Sequence, residues 1–170
     1  MNSDTILGLS LSAFTQFHVT LSLTGIASGL VVVLAMLSSQ RLRAVTPVFL
    51  LTTVLTSLTG FLFPYHGVTP GIVIGILSMI LLLFAYLARY PFKLAGPWRA
   101  IYVVTSVMAL WFNVFIFIVQ SFEKVPALHA LAPTQSEPPF KIAQLTTLLL
   151  FVVLGIFAVR RFHPQPAVAA

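Results

Sequence analysis

Three histidines and one glutamate are the residues of this chain best suited to bind a metal ion or to move a proton. They are His18, His66, His129 and Glu137, and zinc, copper and iron all accept imidazole and carboxylate ligands. No two of the histidines form an HxH or HxxxH pair, so their spacing is not diagnostic of a metal site. The chain has no cysteine, which excludes thiolate ligands, disulfides and cysteine catalysis.

The histidines permit three interpretations. The first is a divalent-metal or acid–base site formed by His18, His66, His129 and Glu137. The second is a haem b held between His18 and His66, which requires the two imidazoles to face each other at one depth. The third is that the histidines are interfacial residues bonded to loop carbonyls or lipid headgroups. His18, which precedes a long uncharged segment, is the strongest candidate ligand.

Carboxamides form a second candidate group. Ser106, Asn113 and Gln120 recur at intervals of seven residues, so they share one stripe of a helix. Asn113 falls near the middle of an apolar segment, where an unpaired amide is costly in lipid. We therefore predict that this stripe faces the interior of a helical bundle, where Gln144 meets Gln120. The group either clamps helices together or contacts a bound cofactor.

The elements that must position these side chains are apolar helices. Of the 170 residues, 59% are hydrophobic and 7% are charged, whereas soluble domains carry about 25% charged residues. A helix needs roughly 20 residues to span a hydrocarbon core about 30 Å thick. Five segments approach or exceed that length, which predicts an all-α, polytopic membrane bundle: 13–37, 45–63, 70–88, 100–120 and 138–159.

The charged residues predict the orientation of this bundle. Seven of the nine Lys and Arg residues lie in alternate connections or at the C-terminal end. Because cytoplasmic loops carry the excess of Lys and Arg, this distribution predicts an N-out/C-in topology. The predicted cytoplasmic residues are Arg41, Arg43, Arg89, Lys93, Arg99, Arg160 and Arg161, and the acidic residues Asp4, Glu123 and Glu137 all lie on the other side.

The same pattern divides the chain into three parts. We predict a periplasmic segment at 1–12, the membrane bundle at 13–161 and a disordered cytoplasmic tail at 162–170. The formal net charge of +6 is then explained by basic loop residues that set the membrane topology and lie near anionic lipid headgroups. It does not indicate nucleic-acid binding, because no basic patch accompanies a binding motif.

Small residues recur at helical spacing and predict close helix contacts. Gly25-x-x-x-Gly29 and Gly71-x-x-x-Gly75 form faces on which helix backbones can approach each other in lipid. These faces indicate either packing within the bundle, which we favour, or a homo-oligomer interface. The lipid bilayer itself is the first predicted partner.

Three stretches of the chain carry a family resemblance. They are Phe17-His18-Val-Thr-Leu-Ser22, Thr59-Gly60-Phe-Leu-Phe-Pro64 with His66-Gly67, and Pro126-Ala-Leu-His129 through Glu137-Pro138-Pro139. With these stretches the chain resembles small multi-pass bacterial inner-membrane proteins that have no assigned function. The resemblance implies a location in the bacterial inner membrane, and it carries no activity to transfer.

Common catalytic motifs do not accompany these features. GxSxG, HExxH, Walker A and GxGxxG are absent from the sequence, which favours a role other than catalysis. We expect a non-enzymatic accessory or structural subunit of a membrane complex, with a polar, histidine-bearing pocket on its periplasmic side. The alternative is a membrane redox protein that binds haem b or a divalent metal through His18, His66 and His129.

Overall fold

A computed structural model describes residues 5–64 and 69–163, and its secondary structure is almost entirely helical. The helices are α1 (Leu11–Leu37), α2 (Val45–Gly60), α3 (Pro70–Arg89), α4 (Trp98–Lys124), α5 (Pro126–Leu131) and α6 (Pro138–Arg161). Two antiparallel strands of two residues each, β1 (Thr5–Ile6) and β2 (Leu9–Ser10), precede α1. Helix makes up 77% of the structure, which confirms the all-α prediction.

Four helices, α1, α3, α4 and α6, are long and apolar enough to cross a membrane. They correspond to four of the five predicted spans, although α1 and α4 begin two residues earlier than predicted, at Leu11 and Trp98. The remaining predicted span, 45–63, contains the shorter apolar helix α2 of 16 residues. The predicted connection 121–137 contains an additional short helix, α5.

Local sequence explains where several helices begin. The Ser10 hydroxyl accepts a hydrogen bond from the Ala13 N–H at the start of α1, and Thr69 caps α3 in the same way. Such caps satisfy N–H groups that have no partner within the helix. Proline follows at the first position of α3, α5 and α6, where its missing N–H costs nothing.

Helix α4 lies at the centre of the bundle and α6 lies at its periphery. Helix α4 packs against α1, α3 and α6, and 50% of its most apolar stretch is buried, against 17% for α6. The core between α1, α2 and α4 includes the fully buried side chains of Met36, Phe49 and Leu110. Outward apolar side chains of α6 such as Leu149 are 65% exposed, which suits contact with lipid tails rather than water.

The face formed by Gly25 and Gly29 is occupied by the chain's own helices. A Cβ atom at Gly29 would lie 2.7 Å from Cδ1 of Leu110 in α4 and 2.8 Å from the ring of Phe49 in α2. The glycine therefore allows three helices to meet at one level, as small residues do in lipid. This supports packing within the bundle for Gly25 and Gly29, the interpretation favoured from sequence.

The second small-residue face, formed by Gly71 and Gly75, is in close contact with another part of the chain only at Gly75 among the described residues. A Cβ atom at Gly75 would lie 2.8 Å from Cε1 of Phe61, which follows α2. At Gly71 the nearest atom would be Oγ1 of Thr69, at 3.7 Å. Gly75 therefore serves contact between α3 and the end of α2, and a homo-oligomer through Gly71 and Gly75 stays a prediction.

Arginines tie together the connections at one end of the bundle, which we call the basic end. It contains Arg41, Arg43, Arg89, Lys93, Arg99, Arg160 and Arg161. Nη2 of Arg41 donates to the carbonyl of Lys93, and Nη2 of Arg89 donates to the carbonyl of Leu42, each at 3.3 Å. The connection between α1 and α2 is thereby bonded to α3 and to the residues that follow it.

The Arg41 guanidinium is part of this contact, and its surroundings disfavour its charge. Partial burial lowers the pKa of Arg41, and the nearby charge of Arg89 lowers it further. The guanidinium stays protonated at any physiological pH, because the ordinary pKa of arginine lies far above that range. Positive charge is therefore concentrated at the basic end even where the side chains serve a structural role.

Candidate functional site

His18 lies near the start of α1, at the end of the bundle opposite the basic end. Its Nδ1 lies 2.8 Å from Oγ1 of Thr59 in α2. The Thr59 hydroxyl lies 2.7 Å from the carbonyl oxygen of Leu55, to which it donates. A hydroxyl has one proton, so with that proton on the Leu55 carbonyl Thr59 accepts from His18, and this arrangement assigns the imidazole proton to Nδ1. The lone pair of the neutral ring is then on Nε2.

Aromatic side chains hold the His18 ring in place. The ring packs edge-on against Phe63, with centroids 5.2 Å apart, and Phe63 packs in turn against the buried Phe14. A Cβ atom at Gly60 would lie 3.5 Å from Cε1 of His18, so a glycine there leaves room beside the ring. An imidazole with one nitrogen bonded and its plane fixed is the arrangement found in histidine metal ligands.

The other predicted ligands do not join His18 within the described residues. His66 lies outside them, so its pairing with His18 stays a prediction. His129 is exposed on α5, and Glu137 directly precedes α6. Within residues 5–64 and 69–163, no three His, Asp or Glu side chains are close enough to hold a metal ion. A metal site formed by His18, His129 and Glu137 alone is therefore not present.

The Glu137 carboxylate forms hydrogen bonds with neighbouring residues of the connection between α5 and α6. It accepts hydrogen bonds from the Thr134 hydroxyl at 2.8 Å, the Thr134 N–H at 3.2 Å and the Ser136 N–H at 3.0 Å. Desolvation raises the pKa of Glu137, but these hydrogen bonds together lower it by more. The pKa therefore lies below its ordinary value. The glutamate therefore organises the turn before α6.

Asn113 lies where three helices meet. It is 8% exposed, and its Nδ2 donates to Oγ1 of the fully buried Thr53 in α2 at 3.3 Å. A Cβ atom at Gly25 of α1 would lie 3.2 Å from Oγ1 of Thr53 and 3.4 Å from Nδ2 of Asn113. This geometry matches the predicted interhelical clamp at Asn113, with Thr53 of α2 as the partner.

The rest of the predicted carboxamide stripe is arranged differently. Ser106 is fully buried, as predicted, but Gln120 is exposed and donates to Glu123 one turn later at 3.4 Å. Gln144 donates to the carbonyl of Phe115 at 3.2 Å. The prediction that Gln120 faces the bundle interior and meets Gln144 is therefore wrong. Gln144 still bonds α6 to α4, and its buried Oε1 has no partner among the described residues.

Comparison with known protein families, curated proteins and solved structures found no match. The chemistry of the chain therefore has to be argued from its own residues. Among the described candidate side chains, Asn113 bonds α4 to α2 and Gln144 bonds α6 to α4. His18 likewise bonds α1 to α2 through Nδ1, and its second ring nitrogen has no hydrogen-bond partner among the described residues.

Sequence reasoning missed three residues that position these groups. Thr59 forms the hydrogen bond with Nδ1 of His18, and Thr53 accepts a hydrogen bond from the Asn113 amide. Arg99 donates through Nη1 to the carbonyls of Val159 at 2.7 Å and Phe162 at 2.8 Å. Arg99 thereby holds the C-terminal end of α6 against α4. The sequence marks Arg99 only as one of several cytoplasmic charges.

Proposed function

We propose that this chain is an integral protein of the bacterial inner membrane that crosses the bilayer five times, with its N-terminus outside and its C-terminus inside. Four helices have the length and apolarity that a span requires. The basic end contains seven of the nine Lys and Arg residues, which supports a cytoplasmic position for that end.

Helix α2 is the fifth span in this proposal. Its 16 residues extend about 24 Å at 1.5 Å per residue, somewhat less than the 30 Å of a typical core. It packs beside both α1 and α3. The Leu42 carbonyl just before it is bonded to Arg89 at the basic end, and Phe61 just after it packs on Gly75 of α3. Both neighbours thus support a full crossing by α2 and the turn that follows it.

Cysteine labelling tests this topology, because the chain has no cysteine of its own. Single cysteines replace the exposed residues Gln40, Leu62, Ala95 and Ala130. In intact cells we expect a membrane-impermeant maleimide to label Leu62→Cys and Ala130→Cys but not Gln40→Cys or Ala95→Cys. Labelling of Gln40→Cys together with Leu62→Cys would exclude a crossing by α2. The inverse pattern at all four positions would reverse the orientation.

We further propose that the protein acts as a non-enzymatic accessory or structural subunit of a membrane complex. The observation that supports this role is the use of polar side chains within the fold. Asn113, Gln144 and Glu137 each bond to another residue of the chain. Groups engaged in this way stabilise and align helices.

The subunit proposal predicts a stable partner in the native membrane. The tagged chain, extracted gently from its own cells, should migrate in native electrophoresis well above the same chain expressed alone, with one partner in fixed stoichiometry. A His18→Ala variant should retain that complex. Migration of the native chain as a free protomer would contradict the proposal.

A second candidate function rests on His18 alone. Because Nδ1 is held by Thr59, Nε2 is positioned to bind a divalent metal or haem iron, with His66 as a further ligand. Iron, copper and zinc per chain, together with the visible absorption spectrum, test this candidate. It predicts about one metal or haem per chain that is lost in His18→Ala and retained in His163→Ala, since His163 lies at the basic end. Native protein free of metal and haem would exclude it.

A further inference from the structure

A groove of about 470 Å³ lies between α4 and α6. Its walls come from Val104, Met108 and Trp111 of α4 and from Leu148, Val152 and Ile156 of α6. Ten of its eleven lining residues are uncharged, and the exception is Arg160. The groove is therefore apolar along its length and positively charged at one end, which is the basic end of the bundle.

The length of this groove matches one leaflet of a bilayer. On α6 it runs from Leu148 to Val159, which is about 17 Å at 1.5 Å per residue. Half of a typical hydrocarbon core is about 15 Å. In a bilayer whose surface lies at the basic end, a groove of this length would reach from that surface to about the bilayer centre. That length fits an acyl chain of one leaflet and is too short for a helix that crosses the whole core.

Positive charge at the mouth of the groove complements an anionic headgroup. Arg160 is exposed there, and the last carbonyls of α6 would ordinarily repel an anion. Arg99 donates to two of these carbonyls, those of Val159 and Phe162. Arg99 therefore offsets the partial negative charge of the carbonyls at the end of α6, and it adds a second positive charge near Arg160.

Gly155 deepens the groove without being required for helix packing. A Cβ atom there would lie 3.5 Å from Cγ1 of Val107 in α4, an ordinary van der Waals contact. Glycine is poorly suited to a helix interior, so its presence at this position is not explained by a close approach of α4 and α6. The space that the missing side chain leaves forms part of the groove.

We propose that this groove binds an anionic phospholipid, with an acyl chain between α4 and α6 and the phosphate at Arg160. The proposal rests on the proposed insertion into a membrane but not on the proposed orientation. In an N-out/C-in protein the lipid belongs to the cytoplasmic leaflet.

Native mass spectrometry of the full chain in detergent micelles tests the proposal. The probes are phosphatidylglycerol and phosphatidylethanolamine with identical acyl chains. We expect one phosphatidylglycerol to bind more tightly than phosphatidylethanolamine. Loss of one cationic contact at the surface should weaken phosphatidylglycerol binding about five-fold. Arg160→Gln should show this loss and leave phosphatidylethanolamine binding unchanged.

Arg161→Gln is the matched control, because it removes the same charge one residue away. Arg161 does not line the groove and lies instead over the ring of Phe157, 5.7 Å from its centroid. It should keep the wild-type preference. Gly155→Leu, which fills the groove, should lose bound lipid of both kinds. If that variant does not fold, as judged by circular dichroism, the two arginine variants decide.

Three results would overturn the proposal. They are equal affinity of the wild type for both lipids, equal loss in Arg160→Gln and Arg161→Gln, and a wild-type dimer that dissociates in Gly155→Leu. The last result would assign the groove to a second copy of the chain. Cysteine labelling does not depend on lipid binding, so failure of this proposal and failure of the proposed topology can be distinguished.

Discussion

The hydrogen bond between Asn113 and Thr53 should contribute a small but measurable coupling free energy to the bundle. The Nδ2–Oγ1 distance of 3.3 Å lies just beyond the usual range of about 2.7–3.2 Å for such bonds. Interhelical hydrogen bonds in a membrane protein average about 0.6 kcal/mol and reach about 1.7 kcal/mol. For a bond of this length we expect a coupling of about 0.6 kcal/mol in a double-mutant cycle of Asn113→Leu and Thr53→Val.

The two single substitutions should differ in cost. Thr53→Val keeps the side-chain shape but leaves the buried Asn113 amide without its partner, which costs about 1–3 kcal/mol. Asn113→Leu leaves a threonine hydroxyl, which can turn to a carbonyl of its own helix, as Thr52 and Thr56 already do. The cost of Asn113→Leu should therefore be the smaller of the two.

Unfolding in mixed micelles with increasing sodium dodecyl sulfate measures these free energies, followed by tryptophan fluorescence and circular dichroism. Thr56→Val is the control, because the Thr56 hydroxyl bonds within its own helix, and it should change stability by less than Thr53→Val does. A coupling of zero, or a greater cost for Asn113→Leu than for Thr53→Val, would refute the assignment of this pair as the interhelical clamp.

Three further predictions concern packing, pH and the end of α6. Gly29→Ala should destabilise the bundle by about 1–3 kcal/mol in the same assay, because neighbouring side chains must move, whereas Gly155→Ala should be neutral or stabilise it by up to about 1 kcal/mol. The pKa of Glu137 is lowered by folding from 4.5, so its stabilisation is present above pH 4.5 and disappears as the pH falls through the folded value. Below pH 4.5 the thermal midpoint of the wild type should therefore fall more steeply than that of Glu137→Gln. Arg99→Gln should cost about 1–3 kcal/mol after allowance for partial exposure and should speed hydrogen exchange at the Phe162 amide.

The long helices could be predicted from sequence, because a membrane span is recognised from the length and apolarity of one continuous segment. Twenty apolar residues between turn residues suffice to locate it, and α1, α3, α4 and α6 follow that rule. Helix α5 was missed because a helix of six residues has too few residues for a periodic pattern. The membrane orientation was predicted from a statistical rule on loop charge. The packing of the helices is the same in either orientation, so it does not test that prediction.

The depth of a residue was easier to predict than the direction of its side chain. Asn113 is buried as expected, but Gln120 is not. A straight helix turns about 20° per heptad relative to a strict seven-residue repeat, so Ser106 and Gln120 are about 40° apart around α4. Gln120 also lies near the end of the bundle, where an exposed amide meets polar surroundings and has no need of an interior partner.

The partner of His18 could have been found from the hairpin that α1 and α2 form. In an antiparallel pair, moving back along one helix corresponds to moving forward along the other. Gly25 of α1 packs on Thr53 of α2. His18 lies seven residues before Gly25 and Thr59 lies six residues after Thr53, so both are close to two turns away. The sequence alone does not show that Gly25 packs on Thr53, because that contact depends on how closely the glycine lets the two helices approach.

The two proposed ligand sites lie at opposite ends of the bundle, and this separation makes them independently testable. His18 lies near the start of α1, whereas Ser39, just beyond its end, bonds to the His163 N–H near Arg160. Energetic coupling over such a distance requires an element with two discrete arrangements, and no such element is needed by either site. We therefore expect His18→Ala to leave the lipid preference unchanged, and Arg160→Gln to leave any bound metal or haem unchanged. If either variant altered the readout at the other end, the bundle would be a coupled unit, and neither site could be described from its local contacts alone.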